Sequence, residues 1–537
     1  MATATIGMAY TFGKIYASAP THVAVDNFAA RLEKIDTRVV ERLNEGKAVD
    51  DEDRARRRFI VRAYKMDHEI IAFRRLLEDP NVGDKASPSG FWFPSSKWKL
   101  NCSLTYWFLM IIGSPAVRPL DDNDSPTLHD LRGKIDNNRD LRGLRLLATG
   151  QIQWREFKDD RANDDGTMRK FFTGLLDHAD IVCSTASLAT KGDYRAWRVK
   201  HARAISIDEA ANMNRADLYT VWGNTLLPLL LGGDDKQLQP AVMSQNTVDG
   251  EGRYFLRHYE DAKMSPLLWF KMSGIPVYRL HTQFRMANDL FGLSHREVYR
   301  DLPFEYGPRC DISLPDHTLG RKLEAYMQAR HPELTPPATK TLAPIFVHCD
   351  RTFCHVDKAT GSKSNRKQVK LAMDFLVDLV GEGIPPSNIV VICPYKANVE
   401  IIESWRKRQP KYEVLEPMPR AATVDSFQGQ EGDIVVVVMG TTTAVGPGFT
   451  KDENRLNVML SRQKSGLVIF GDIAVGGKFI KEDPKTEADK KWQKKEESTG
   501  QLGVPKDGGL AWVKAAMLQN VYKNLAKRGR VVTMSLD

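Results

Sequence analysis

The sequence predicts an α/β protein with parallel β-sheets, and three observations support this. Short runs of apolar and β-branched residues recur along the chain, mostly separated by lengths that suit a helix. The runs are continuous rather than alternating, which is typical of strands buried on both faces of a parallel sheet. At 537 residues the chain is also too long for one compact core, which predicts two to four domains, and seven or more strands over 360 residues favour two sheets. The predicted strands are 15–19, 181–183, 204–207, 228–232, 345–347, 389–392, 434–439 and 467–470.

These strands predict two domains. The first covers residues 1–260 and contains an inserted, mostly helical segment over about 33–175. The second covers residues 261–537 and begins just before a helix near Pro266. Within the insertion, a charged stretch at about 50–78 has a helical pattern, with Phe59 and Tyr64 facing inward. The aromatic patch around Trp98, which includes Phe91, Trp92 and Phe93, could stack on a nucleic-acid strand, but the core of the insertion is the favoured interpretation.

Composition describes an ordinary globular protein, with 42% hydrophobic and 27% charged residues. The net charge of +9 weakly favours a polyanionic partner. Six scattered cysteines suit a reducing compartment, and the first residues lack a secretory signal pattern. The longest apolar run, Leu104 to Gly113, is about half of the ~20 residues that a membrane span needs. We therefore expect no membrane association and a location in the cytoplasm, the nucleus or both.

Two polar boxes follow consecutive predicted strands of the first domain. Asp208-Glu209 ends the apolar segment 202–207, and the second box is 233–240, which reads Gly-Asp-Asp-Lys-Gln-Leu-Gln-Pro. An Asp-Glu pair at the end of a buried strand suits a nucleoside triphosphate with Mg²⁺, because one carboxylate can hold the metal and the other can polarise water. Alone, such a pair is usually a solvated turn. The second box, whose Gln237 suits a phosphate sensor, favours the nucleotide interpretation.

Further boxes extend this pattern over nearly the whole chain. Together they resemble superfamily 1 helicases, in particular the up-frameshift-type branch of nonsense-mediated mRNA decay, and their order along the chain is that of the family. Any single box is a weak signal, whereas the ordered set is specific. The boxes are 19–27 (APTHVAVDN), 183–187 (CSTAS), 208–209 (DE), 233–240 (GDDKQLQP), 283–286 (QFRM), 393–397 (CPYKA), 423–431 (TVDSFQGQE) and 454–462 (NRLNVMLSR).

The resemblance implies two tandem RecA-like domains of the P-loop NTPase fold that use ATP and Mg²⁺. Asp208 then corresponds to the metal ligand and Glu209 to the general base, while Gln237 senses the terminal phosphate. Arg285 and Arg462 correspond to arginines that stabilise charge on the transferring phosphoryl group. The implied nucleotide contacts are Gln283, Phe284, Gly429 and Glu431. Two structural alternatives remain open, because Phe284 suits a core position equally well and Glu431 suits a turn.

Nucleic-acid contacts are expected just beyond the predicted strand ends, where open α/β sheets bind ligands. Hydroxyls, amides and backbone N–H groups there can hold phosphates without reading sequence. Capping of the following helices by Ser and Thr is an equally good explanation for each residue. The resemblance further implies a monomer that binds single-stranded RNA or DNA, with partners in mRNA decay or another ribonucleoprotein. The candidate contacts are Pro20, Thr21, Ser184, Thr185, Pro394, Tyr395, Ser426 and Gln428.

One departure from the family concerns the phosphate-binding loop. No Gly-x-x-x-x-Gly-Lys-Ser/Thr occurs in the 537 residues, and Gly13-Lys14 leads into a predicted strand rather than a helix. We therefore expect the Walker A loop and its strand to lie upstream of Met1, so that the first sheet is incomplete and has unpaired backbone. The chain alone is then expected to hydrolyse ATP slowly or not at all.

Two functions of different classes follow from this departure. The first is an ATP-dependent RNA or DNA helicase, and the alternative is a catalytically inactive scaffold that binds nucleic acid or protein. A nucleotide-gated switch that moves no strand is a third and weaker reading.

One group of cysteines and histidines resembles a zinc site in composition but is disfavoured. His348, Cys349, Cys354 and His355 offer four ligands of the type that zinc prefers. Adjacent residues of a strand point to opposite faces, however, so His348 and Cys349 could not easily bind one ion together. A strand followed by a turn is the favoured interpretation.

Overall fold

The computed structural model describes residues 1–49, 51–88, 96–138, 141–242, 247–480, 483–506 and 509–536. Phe91, Trp92 and Phe93 of the predicted aromatic patch lie outside these ranges. The chain forms two compact units. The first comprises residues 1–235 and 239–276, and the second comprises 236–238 and 277–537.

The first unit contains five strands and thirteen α-helices within the described ranges. The strands are β1 (Ile15–Ala19), β2 (Ile60–Arg62), β3 (Ile181–Thr185), β4 (Ala204–Ile207) and β5 (Leu229–Leu231). The helices are α1 (Ala2–Phe12), α2 (His22–Leu43), α3 (Met66–Glu78), α4 (Leu104–Ile112), α5 (Pro126–Asp136), α6 (Arg142–Ala148), α7 (Trp154–Phe157), α8 (Asp165–Asp177), α9 (Ala186–Ala189), α10 (Gly192–His201), α11 (Arg215–Trp222), α12 (Tyr259–Lys263) and α13 (Pro266–Met272).

The five strands form one parallel sheet in the order β2-β3-β1-β4-β5. This confirms the predicted parallel α/β class. The expectation of an incomplete sheet with unpaired backbone stays a prediction, and β5 is the last described strand on its side of the ladder. Strand β4 pairs directly with β5, with Ile205 opposite Leu229 and Ile207 opposite Leu231, so the ladder is continuous.

The two faces of this sheet carry different helices, because successive strand residues point to opposite sides. On one face, Ile15, Ala17 and Ala19 pack in a core with α1 and α2. Tyr16 packs on the other face, in the core that the inserted helices share. Helix α2 begins at His22, where the Thr21 hydroxyl caps it by accepting the Ala24 N–H at 3.2 Å.

The insertion is mostly helical, as predicted, but one part of the prediction is wrong. The stretch at about 50–78 is helical only in α3, and its first half holds strand β2, which pairs with β3 in the main sheet. Phe59 and Tyr64 are nevertheless buried. Trp98 is also buried, as expected of a core residue.

A carboxylate lies inside the core of this insertion. Glu69 is fully buried and accepts hydrogen bonds from the Trp98 indole N–H (3.3 Å) and from the Thr105 hydroxyl (2.7 Å) and N–H (3.2 Å). Burial raises the pKa of Glu69 to about 7.

The division between the units falls after Pro276 rather than at 260. Helix α13 explains the difference, because Leu267 and Phe270 pack against the core of the first unit. Lys271 on the same helix pairs with Asp235 at 2.6 Å, which ties the helix to the loop after β5.

The second unit contains twelve strands and seven α-helices within the described ranges. The strands are β6 (Thr282–Gln283), β7 (Glu305–Tyr306), β8 (Ile345–Cys349), β9 (His355–Val356), β10 (Lys363–Ser364), β11 (Ile389–Cys393), β12 (Ala422–Thr423), β13 (Gly432–Val438), β14 (Gln463–Gly471), β15 (Gln501–Lys506), β16 (Gly509–Lys514) and β17 (Val531–Met534). The helices are α14 (Gly292–Val298), α15 (Thr318–Arg330), α16 (Arg366–Gly381), α17 (Lys396–Arg408), α18 (Glu453–Met459), α19 (Glu487–Thr499) and α20 (Ala516–Lys527).

Its main sheet has six parallel strands in the order β12-β11-β13-β14-β8-β17. Alternate residues of the central strands enter two cores. Val436 and Val468 pack on one face with α15 and α16, whereas Val435 and Leu467 pack on the other with α18 and α20. The unit is therefore a three-layer α/β/α arrangement.

Two further findings concern a membrane and a metal. Among the described residues, no helix combines the length and hydrophobicity needed to cross a bilayer.

No group of three or more His, Cys, Asp or Glu side chains in the described ranges is arranged to hold a metal ion. Cys349 is the buried last residue of β8, and the Ile473 N–H donates to the ring of His348.

Candidate nucleotide and nucleic-acid sites

Asp208 and Glu209 lie at the carboxyl end of β4, which pairs with β1 on one side and with the edge strand β5 on the other. All four residues of β4 are buried, and the Asp208 N–H continues the ladder by donating to the Ser18 carbonyl at 2.9 Å. Glu209 has a φ of 52°, a left-handed conformation that is uncommon for a residue other than glycine. Such a conformation costs of order 1–3 kcal/mol and is concentrated at functional sites.

The loop after β5 packs tightly against this turn. The Ala210 N–H donates to the Gly232 carbonyl at 2.8 Å. A Cβ on Gly233 would lie 2.9 Å from the Ala211 nitrogen and 3.1 Å from the Ala210 nitrogen. Only glycine therefore fits at 233 without a shift, and the two polar boxes of the sequence meet here through their backbones.

The donor set suits Mg²⁺ better than a softer metal. Burial raises the pKa of Asp208, and a nearby cation would offset the cost of keeping this carboxylate ionised. Mg²⁺ is commonly held by one or two carboxylates together with substrate phosphates, so a single carboxylate at a strand end fits this ion. Asp208 thus stays a candidate metal ligand.

The candidate nucleic-acid residues of the first unit share the same edge of the sheet. Pro20 and Thr21 follow β1 and Thr185 ends β3, so all three lie at the carboxyl edge with Asp208. Thr21 is exposed, but its hydroxyl already caps α2.

Ser184 is fully buried, which corrects the expectation of a surface contact. Its hydroxyl bonds the Tyr16 hydroxyl at 2.6 Å, and its carbonyl accepts the Ser18 hydroxyl at 2.8 Å. The side chain therefore has a structural role, and Ser184 leaves the set of candidate nucleic-acid contacts.

In the second unit the two candidate arginines belong to one hydrogen-bonded network. Arg285 pairs with Glu431 at 2.9 Å and donates to the Ser461 carbonyl at 3.0 Å. Arg462 is buried and donates to the Ser461 hydroxyl at 3.1 Å, to the Val458 carbonyl at 3.2 Å and to the Gln237 side-chain oxygen at 2.9 Å. The structure thus brings together four of the predicted residues.

The remaining candidate nucleotide contacts flank this network. The Gln283 side-chain oxygen accepts the Arg285 N–H at 2.7 Å, so it fixes the start of the segment. Gly429 has a φ of 75°, which glycine adopts at little cost, and the turn leads to Gln430, whose carbonyl lies 3.5 Å from Arg462 Nη1. Phe284 is 56% exposed and lies over Gly307, so it does not occupy the core.

The carboxyl edge of the second sheet gives mixed results for the nucleic-acid candidates. Pro394 and Tyr395 are buried, and the Tyr395 hydroxyl accepts the Phe449 N–H at 2.8 Å. We therefore assign both to packing, which corrects the expectation. Ser426 is exposed, although its hydroxyl bonds Thr423, and Gln428 is half-buried.

Sequence reasoning missed Phe449. Its ring stacks on Tyr395 with 5.2 Å between centroids and is half exposed, and the Arg455 guanidinium lies 5.2 Å from it. Phe449 could have been recognised as an exposed aromatic residue from its position, because it lies in a glycine-containing loop just before the box 454–462.

Two parallel α/β units with these candidate carboxylates and arginines fit a helicase-like protein, and comparisons with known proteins support this class. A family model described as "AAA domain" matches residues 265–474. A regulator of nonsense transcripts 1 homolog from Drosophila melanogaster is 26% identical over 65% of this chain and 27% of its own length. The DNA polymerase alpha-associated DNA helicase A of Saccharomyces cerevisiae is 25% identical over 48% of this chain and 36% of its own length.

A third relative is an uncharacterized ATP-dependent helicase of Methanocaldococcus jannaschii, which is 24% identical over 61% of this chain and 44% of its own length. The chain therefore spans less than half the length of these relatives. Among solved structures, a complex of the arterivirus nonstructural protein 10 helicase with DNA covers 88% of this chain and 57% of its own, at 11% identity and a TM-score of 0.32. Superposition this loose carries no weight for the assignment.

The sequence relationships, with the order of the motifs, support a superfamily 1 helicase that resembles the up-frameshift type.

Proposed function

We propose that this chain carries the catalytic residues of an ATP-dependent helicase that moves on single-stranded nucleic acid. The observation that carries the proposal is the Asp208-Glu209 turn at the carboxyl end of the buried strand β4, where Glu209 has a left-handed conformation. The arginine network of Arg285, Arg462 and Glu431 supports it from the second unit.

Each residue has a chemical role in the proposed reaction. Asp208 would hold Mg²⁺, which when bound neutralises charge on the phosphate oxygens. Glu209 accepts the proton of the attacking water, and Gln237 orients that water or the terminal phosphate. Arg285 and Arg462 stabilise the charge that develops on the transferring phosphoryl group. Gln283 and Phe284 contact the nucleotide, Phe284 by stacking of its exposed ring on the base.

The proposal extends to the partner and the setting. The remaining candidate contacts for the sugar–phosphate backbone of RNA or DNA are Pro20, Thr21, Thr185, Ser426 and Gln428. Similarity to regulators of nonsense transcripts leads us to propose a monomer that works in the cytoplasm or nucleus, in mRNA decay or another ribonucleoprotein process.

Phosphate release measures the proposed activity. The chain is compared with a version that carries a Gly-Lys-Thr phosphate loop and its strand joined ahead of Met1, each with and without poly(U) and oligothymidylate. We expect slow hydrolysis by the chain alone and nucleic-acid-stimulated hydrolysis by the extended version. Glu209→Gln should lower the stimulated rate by about 10²–10⁴, the usual contribution of a general base. Glu260→Gln, at an exposed carboxylate of α12, is the matched control.

The possible outcomes separate the alternatives. Hydrolysis that Glu209→Gln leaves unchanged contradicts the proposed site. Stimulated hydrolysis by the chain alone contradicts only the expected need for the loop. Nucleic-acid binding with no hydrolysis in either version favours the inactive scaffold.

A further inference from the structure

The second unit contains a groove that the proposed helicase mechanism does not use. Its volume is about 930 Å³. One wall is a face of α17 from Ala397 to Arg408, and the other is formed by the loop after β8 with the first turn of α16. The groove is open to solvent along the helix, so it could accept a polymer as well as a small molecule.

The charge of this groove is positive. Arg366, Lys367 and Arg408 line it, against one carboxylate, Glu400, which already pairs with Lys396 at 3.5 Å. Within the described ranges, the guanidinium groups of Arg366 and Arg408 form no ion pair or hydrogen bond. Lys367 donates to a backbone carbonyl at 3.2 Å, which leaves its charge uncompensated. Three cations facing one open groove attract a polyanion.

Aromatic rings stand beside these cations. Phe353 is 82% exposed, which is unusual for a large apolar side chain unless it has a partner. Trp405 is half-buried and held by a near-parallel stack on Tyr412, with 6.3 Å between ring centroids. Exposed rings interleaved with guanidinium groups are the usual means of holding bases and phosphates of a single strand.

An apolar peptide helix fits this groove less well. Its helical wall includes Glu400, Ser404 and Arg408 beside Ile401 and Trp405, so it lacks the continuous apolar floor that such a helix needs. Helix α17 begins three residues after β11 ends, so the groove starts at the carboxyl edge of the sheet. From Ala397 it runs about 16 Å along the helix, at 1.5 Å per residue.

We propose that this groove is a second binding site for single-stranded nucleic acid, continuous with the carboxyl edge of the second sheet. The inference rests on the proposed function, because it extends the path of the same strand. Arg366 and Arg408 contact phosphates, and Phe353 stacks on a base. The site adds affinity without reading sequence, since its chemistry recognises the backbone and the faces of the bases.

Fluorescence anisotropy with labelled 20-nucleotide oligothymidylate and oligouridylate tests the proposal on the full chain. Arg366→Ala with Arg408→Ala should reduce the slope of log affinity against log salt by about 1.4, because each lost phosphate contact removes about 0.7 for a single strand. Phe353→Ala should weaken binding roughly fivefold or more, the effect of losing one stacked base. All three side chains are exposed, and thermal unfolding verifies that the variants remain folded.

Matched controls come from the same unit. Arg309→Ala with Lys407→Ala removes two exposed cations outside the groove, and Val414→Ala truncates an exposed apolar side chain. Unchanged affinity and salt slope in the groove variants, with tight binding by the unaltered chain, overturns the inference and leaves the proposed function intact. Failure of the unaltered chain to bind either strand overturns both. Poly-glutamate is tested as a second polyanion. If the groove variants lose binding of poly-glutamate but bind both oligonucleotides as the unaltered chain does, the groove binds an acidic polypeptide instead.

Discussion

The two main sheets arrange their candidate residues differently. In the first unit, Asp208 and Thr185 lie at the same carboxyl edge, so the nucleotide and nucleic-acid candidates are neighbours. In the second unit, Glu431 and Arg462 directly precede β13 and β14, at the amino ends of these strands, whereas Ser426 follows β12 at its carboxyl end. The second sheet therefore separates the two kinds of chemistry by the length of a strand.

This difference indicates how each unit could respond to nucleotide. In the first unit a change at Asp208 acts on its own sheet edge. In the second unit, an effect of nucleotide at Arg462 would have to pass along buried strands to reach the nucleic-acid candidates. The nine residues of β14 span about 30 Å at ~3.3 Å per residue.

The largest effect is expected when each of the two candidate arginines of the second unit is replaced by lysine. Arg462→Lys and Arg285→Lys should each lower stimulated ATP hydrolysis by about 10³-fold or more, in the version with the phosphate loop, because lysine cannot reproduce the guanidinium fork. Only Arg462→Lys should also destabilise the fold, by about 1–3 kcal/mol, since it leaves buried carbonyls without donors. Steady-state rates and urea unfolding measure the two effects. Arg309→Lys, at an exposed arginine, is the control, and equal stability losses for both arginines contradict the distinction.

A smaller effect is expected in the first unit from Gly233→Ala. The added methyl group lies too close to the Ala210 and Ala211 nitrogens, so the turn that holds Glu209 must shift. We expect a loss of about 1–3 kcal/mol in the free energy of unfolding, together with slower hydrolysis. Gly250→Ala provides the comparison, because nothing lies within 4 Å of its added Cβ. If Gly233→Ala keeps both its stability and its rate of ATP hydrolysis, the packing of the loop after β5 against the turn after β4 is not important for either.

The smallest effect is expected for Phe284→Ala. Because the ring is exposed, its removal should raise the KM for ATP about fivefold, with little change in kcat or stability. Phe284→Tyr should restore the KM, since tyrosine stacks equally well. Leu280→Ala truncates a nearby exposed side chain and controls for loss of apolar surface. A fall in stability without a change in KM contradicts the proposed stacking and gives the ring a structural role at the surface.

Most of the fold could be predicted from continuous apolar runs. All eight predicted strands are present with small shifts in their ends, because strands buried on both faces must be apolar at every position. Strand β2 was missed because it has three residues and ends in a charged one. Arg62 is nevertheless buried, since it pairs with Asp26 at 2.6 Å. Such a pairing depends on residues distant in sequence, which local patterns do not show.

Less of the candidate site than of the fold could be predicted from the sequence. Motif order located the carboxylates and arginines, but burial decides which side chains are available. Ser184 and Tyr395 stand just past apolar runs, as surface contacts would, yet both are buried and bonded within the fold. Phe449 shows the reverse case, an apolar residue left exposed by its loop.

Strand β5 has a consequence for hydrogen exchange. Its three residues are only half-buried, whereas β1, β2 and β4 are buried throughout. A short ladder with partial burial opens at low cost, so the β5 amides should exchange sooner than those of the central strands. The segment from Gly233 to Gln237 begins just after this strand, so local opening of β5 is expected to loosen the loop that leads to the proposed phosphate sensor, Gln237.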